Sequence, residues 1–167
     1  MPVRPQHYSI EDGKLYAGEY PGSLTPEVAM SRLRCLAAMG VRTFIDLTAA
    51  DDKMEPYDVL FADIGCETGV TLQRISTSIR DMSIPDGADA MREIMNIIRK
   101  SICEAPAVYI HCWGGIGRTG TVVGCWLREC VYDPESALLQ VHRPYAGHMP
   151  KSWKWNSRQR SHRGGSS

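Results

Sequence analysis

Apolar residues recur along this chain in two rhythms, short continuous runs and longer stretches at helical spacing, and the two alternate. In "KLYAGEYPGS" a short run from Leu15 to Gly18 is stopped by Pro21 and Gly22, as expected of an edge strand. Thr25 and Pro26 then open a helix, a capping residue followed by proline at the first helical position, with Val28, Leu33 and Leu36 towards one face and Gly40 at its end. "VRTFIDLT" reads as a buried strand of β-branched and aromatic side chains. Strand, helix, strand in this order predicts a parallel pairing of the two strands.

Tyr57 to Gly65 fits a short helix, and "TLQRIST" is a third strand that gives way to the loop "SIRDMSIPDG". From Asp86 to Glu104 the residues Met91, Ile94, Met95, Ile98 and Ile102 fall at helical spacing. "AVYIHC" is a short apolar run after Pro106, the mark of a central buried strand. A helix from about Arg118 to Val131 and a shorter one from Pro134 to His142 complete the pattern. The expected fold is α/β: a single domain whose mostly parallel central sheet, of about four to five strands, is flanked by helices on both sides. Its expected extent is residues 1–156, with 157–167 as a flexible basic tail.

Composition changes this picture little. The chain has 167 residues, 43% hydrophobic and 23% charged, enough for one core without staples. The formal net charge of +0 conceals an asymmetry. No Asp or Glu follows Glu135, whereas Arg143, Lys151, Lys154, Arg158, Arg160 and Arg163 do, interleaved with Trp153 and Trp155. Such an end suits a solvated tail and leaves an anionic substrate, RNA or a membrane surface open as partners. Cys35, Cys66, Cys103, Cys112, Cys125 and Cys130 show no C-x-x-C spacing, so free thiols are expected. The start carries no signal-like apolar run and no stretch approaches a membrane span, which points to a reducing, cytoplasmic setting; a monomer is expected.

The chemistry concentrates in "HCWGGIGRTG", His111 to Gly120, between the last strand and its helix. A turn at that place lies at the carboxyl edge of the sheet, where α/β proteins bind ligands. Gly114, Gly115 and Gly117 permit positive φ and inward amides, and the helix behind adds its positive N-terminal end. Gly115 to Gly120 fits G-x-G-x-x-G, yet a dinucleotide loop needs an acidic residue about 20 positions on, where Gln140 stands. No Lys precedes Thr119, against a nucleoside triphosphate loop. Cys112 and Arg118 instead form one chemical unit around a phosphate. Inward amides and a helix N-terminus favour a thiolate below the phosphorus, and a planar guanidinium beside it donates to two equatorial oxygens. The amides of Trp113, Gly114, Gly115, Ile116 and Gly117 would share that task. Trp113 either stacks on a substrate ring or packs beside the loop.

The stretch resembles the signature of the cysteine-dependent protein tyrosine phosphatases: His-Cys, five residues, Arg, then Ser or Thr. The resemblance implies that His111 orients the loop and favours the thiolate, and that Thr119 bonds the thiolate and assists the second step. It extends to "YAGEYPGS" and "FIDLT", and so covers most of Leu15 to Val141. The tail from "WNSRQRSHRGGSS" departs from the family's pattern, and no function passes to it.

Expelling an alkoxide or phenoxide needs a proton donor on a neighbouring loop at the same sheet edge. "SIRDMSIPDG" supplies Asp81 and Asp86. Asp86, between Pro85 and Gly87, is placed to cap the long helix, which leaves Asp81 as the acid. Asp81, three residues, then Pro85 also matches the compact, cyclin-dependent-kinase-associated type of dual-specificity phosphatase. The resemblance implies no cofactor or metal and a phosphorylated substrate, chiefly a phosphoprotein. Inositol phosphates, phosphoinositides or an RNA 5′-phosphate remain as other substrates. A non-catalytic phosphate-binding module and a rhodanese-like sulfur transferase are the competing classes, and both leave Asp81 without a use.

Overall fold

The computed structural model describes residues 2–79 and 87–130. Five strands form one sheet: β1 (His7–Glu11), β2 (Leu15–Gly18), β3 (Val41–Asp46), β4 (Gln73–Ser76) and β5 (Ala107–His111), in the order β1-β2-β5-β3-β4. All neighbours run parallel except β1 and β2, which form an antiparallel hairpin. The expected edge strand Leu15–Gly18 therefore lies inside the sheet, covered by the short polar strand "HYSIE". β2 and β3 run parallel as expected but do not pair. β5, the last of the described strands, lies between them.

Four helices complete the described architecture: α1 (Pro26–Ala38), α2 (Phe61–Thr68), α3 (Gly87–Glu104) and α4 (Gly117–Glu129). A one-turn 3-10 segment, Asp58–Leu60, precedes α2, so the short helix begins later and runs further than its sequence pattern predicts. Alternation along β5 builds a core on each face. Val108 and Ile110 pack with Ile94, Met95 and Ile98 of α3 and Val122, Val123 and Trp126 of α4. Ala107 and Tyr109 pack with Leu33 and Leu36 of α1 and Ile64 of α2 on the other face. All five residues of β5 are buried, as its unbroken apolar run requires of a strand covered on both sides.

This order fixes where chemistry can occur. Because β3, β4 and β5 are parallel, the chain leaves all three at one edge of the sheet. Asp81 and Asp86, and the helix expected at Pro134 to His142, lie outside the described residues. No helix among the described residues is long and apolar enough to cross a membrane.

Candidate active site

The chain leaves β5 at Cys112 and re-enters regular structure at Gly117, with a bent loop between. Cys112 is buried, and the Gly115 N–H points at its Sγ from 3.3 Å. The sulfur thus sits inside the curl of the loop at the amino end of α4. Of the three loop glycines only Gly115 takes positive φ, at 73°. There a Cβ would lie 2.3 Å from the Gly18 carbonyl carbon, so the end of β2 and the loop touch backbone to backbone. Gly114 and Gly117 need no such freedom, and a Cβ at either meets nothing within 4 Å. Trp113 is 64% exposed at the rim.

Arg118, in the first turn of α4, is buried and points back across the sheet edge. Its Nη1 donates to Asp52 Oδ2 at 2.7 Å and its Nη2 to Asp52 Oδ1 at 3.1 Å. Nη1 also donates to the Ile79 carbonyl at 2.9 Å. These bonds fix the plane of the guanidinium from the loops that follow β3 and β4. Asp52 ends a 3-10 turn, Ala50–Asp52, that Lys53 closes at φ 50°, and its Oδ2 also accepts the Ala49 N–H at 2.6 Å. Burial opposes ionisation of this carboxyl, but Arg118 and the Ala49 amide outweigh it and hold the group below its usual range. Sequence reading missed Asp52. The sheet-edge rule that located the Cys112 loop also singles out the loop after β3, where "AADD" places two carboxylates.

His111 is fully buried against three rings, with centroids of Tyr20 and Tyr57 5.3 Å away and Tyr109 stacked at 5.8 Å. Tyr57 Oη lies 2.7 Å from His111 Nε2. Burial, with Asp46 nearby, raises the Tyr57 phenol well above its usual value, so it stays protonated and donates. The imidazole proton therefore sits on Nδ1, which faces the Cys112 carbonyl at 3.3 Å and Asp46 Oδ1 at 3.9 Å. Burial pushes the His111 pKa from 6.5 down to about 4, against the pull of Asp46. At neutral pH the ring is uncharged, and its direct contact with the Cys112 loop is that of Nδ1 with the Cys112 carbonyl. Asp46 itself is committed elsewhere: Oδ1 accepts the Thr48 N–H and hydroxyl, and Oδ2 accepts Arg74 Nε at 2.8 Å.

Thr119 is buried, and its hydroxyl has no hydrogen-bond partner among the described residues. The bond to the Cys112 sulfur that the family resemblance implies is absent from this arrangement. Asp81 lies outside the described residues, as does the Asp86 cap. Ile79, two residues before Asp81, is held between the Leu47 carbonyl, which accepts its N–H at 2.9 Å, and Arg118. The loop expected to carry the acid thus starts beside the guanidinium. Among the described residues no group of three or more His, Cys, Asp or Glu is arranged to hold a metal ion.

Comparison with known proteins accords with this geometry. The model of a family described as "Polymorphic toxin system, DSP-PTPase phosphatase" matches residues 20–130. Protein 197R of Invertebrate iridescent virus 6, named as a tyrosine phosphatase, is 29% identical over 83% of this chain. The chain spans about half of that relative, 48% of its length. The crystal structure of Tk-PTP in its active form is similar at 25% identity and a TM-score of 0.64, over 89% of this chain and 90% of that one. The catalytic core of the PP-IP phosphatase SIW14 from S. cerevisiae shares the fold, at 15% identity and a TM-score of 0.64 over 91% of this chain and 83% of that one.

Proposed function

Since the chain belongs to the DSP-PTPase phosphatase family of polymorphic toxin systems, we propose that it hydrolyses phosphoprotein monoesters, with dual specificity, through a cysteinyl-phosphate on Cys112. The carrying observation is the Gly115 N–H directed at Cys112 Sγ within a loop whose Arg118 is already oriented by Asp52 and Ile79. A bare structural cysteine has no use for such a frame.

In the first step a lone pair of the Cys112 thiolate forms the S–P bond in line with the ester oxygen. The P–O bond breaks, its electron pair goes to the leaving oxygen, and Asp81 protonates that oxygen. Loop amides from Trp113 to Gly117 and the Arg118 guanidinium hold the three equatorial oxygens, over which the charge of the transferring phosphoryl group is spread in the transition state. In the second step water attacks phosphorus, Asp81 takes the water's proton, and the S–P electrons return to sulfur. Inorganic phosphate leaves. The Thr119 hydroxyl, buried and without a partner among the described residues, turns towards that departing thiolate.

Two variants test this reading. Cys112→Ser should lower hydrolysis of p-nitrophenyl phosphate by about 10³-fold or more. Asp81→Ala should cost about 10²-fold on a phosphoserine peptide and less on the nitrophenyl ester, whose leaving group needs little protonation. Wild-type rates in the Cys112→Ser protein would refute the mechanism. Phosphopeptides, inositol phosphates and 5′-triphosphate RNA assayed on one preparation test the substrate class.

A further inference from the structure

The rim of the Cys112 loop is apolar on one side. Four large hydrophobic side chains are exposed among the described residues, and two of them, Leu24 at 86% and Trp113 at 64%, line one cleft of about 310 Å³. Tyr20 and Met54 line it too, and its charged residues are Lys53 and Glu55, of opposite sign. The cleft begins at the residue next to the nucleophile. It is also built in advance, because Tyr20 ties two of its walls together: its N–H donates to the Trp113 carbonyl at 2.9 Å and its hydroxyl to the Glu55 carbonyl at 2.7 Å. An apolar, preformed hollow at the mouth of a reactive site is a place for part of a ligand.

Charge selects the kind of ligand. A second hollow of about 290 Å³, between the ends of β3 and β4, is lined by Arg74, Lys53, Ser76 and Ser78. Arg74 is paired there with both Asp46 and Asp58, so its charge is already met. Neither hollow offers the surplus of positive charge that a polyphosphorylated headgroup would need. We propose that the Leu24–Trp113 cleft receives an apolar side chain adjacent to the phosphorylated residue of a polypeptide substrate, an inference that rests on the phosphatase reading above.

The test uses peptides with one phosphotyrosine in a Gly/Ser background, with leucine or lysine moved through the flanking positions. p-Nitrophenyl phosphate serves as a substrate without flanks. At one leucine position kcat/KM should rise about tenfold over the unsubstituted peptide, chiefly through KM. Leu24→Ser should remove most of that gain, and Leu24→Glu should turn the preference towards lysine, with nitrophenyl phosphate turnover unchanged in both. The inference is overturned by a flat peptide series, by a leucine preference that survives in both variants, or by faster turnover of inositol hexakisphosphate than of any peptide. A wild-type protein inert towards p-nitrophenyl phosphate would instead overturn the phosphatase reading, and this inference with it.

Discussion

Stability should fall on acidification between pH 6.5 and 4 because of one side chain, His111. Its folded pKa of about 4 lies below the 6.5 of an unfolded histidine. Above pH 6.5 neither state binds the proton. Below it the unfolded chain binds a proton that the native state refuses until about pH 4, so unfolding gains free energy as pH falls. At about 1.4 kcal/mol for each pH unit below 6.5, roughly 2 kcal/mol is lost by pH 5 and about 3 kcal/mol by pH 4. The groups facing the ring do not replace this penalty: Tyr20 and Tyr57 have phenols raised by burial, and Asp46 is bonded to Thr48 and Arg74. Urea denaturation of wild type and His111→Gln from pH 7.5 to 4.5 isolates the effect. Carboxylates such as Asp52, whose stabilisation is lost at lower pH, cancel in the difference. The two proteins should differ most at pH 7.5, with the gap closing by about 2 kcal/mol at pH 5. Parallel stability curves would refute the account of His111 as a neutral buried ring.

Other consequences follow from the same contacts. Tyr57→Phe removes the donor to His111 Nε2 and leaves a buried acceptor unpaired, so stability at pH 7 should drop by about 1–2 kcal/mol; an unchanged denaturation midpoint would contradict the bond. Gly115→Ala should cost about 3 kcal/mol and abolish turnover, because positive φ and the Gly18 backbone both oppose a Cβ. Gly114→Ala, with open space around it, should stay within about 0.5 kcal/mol of wild type when both are compared by urea denaturation. Asp52→Asn should lower kcat for p-nitrophenyl phosphate about tenfold and stability by about 2 kcal/mol, and an unchanged kcat would show that Asp52 does not position Arg118.

What could be read in the sequence was what is local in it. Cys112 and Arg118 stand close together on one strand, loop and helix, and β5 announces itself by an apolar run because both its faces are covered. Contacts between distant segments carry no such mark. Asp52 meets Arg118 across 66 positions and Tyr57 meets His111 across 54. Strand order is equally silent, since the run that forms β5 is written after β2, β3 and β4 yet is inserted between β2 and β3. β1 escaped notice because "HYSIE" is largely polar and borrows its strand character from pairing with β2. Among the glycines the pattern overstated the need: composition cannot tell a glycine that must turn, Gly115, from two that leave space.

The parallel order gives the site its coherence. Four parallel strands, β2 to β5, end at one sheet edge, and Arg118 joins the segments after three of them: it belongs to the loop after β5, is gripped by Asp52 after β3, and is capped by the Ile79 carbonyl after β4. The guanidinium is therefore set by the packing of three strands, not by its own helix alone. Asp81 follows Ile79 by two residues along the chain, so the same contact that orients the cation anchors the start of the segment expected to deliver the proton. On this arrangement, substitutions that shift Ile79 should impair phosphate binding and leaving-group protonation together, whereas those confined to the Leu24 cleft should change which substrates are taken and leave the chemistry intact.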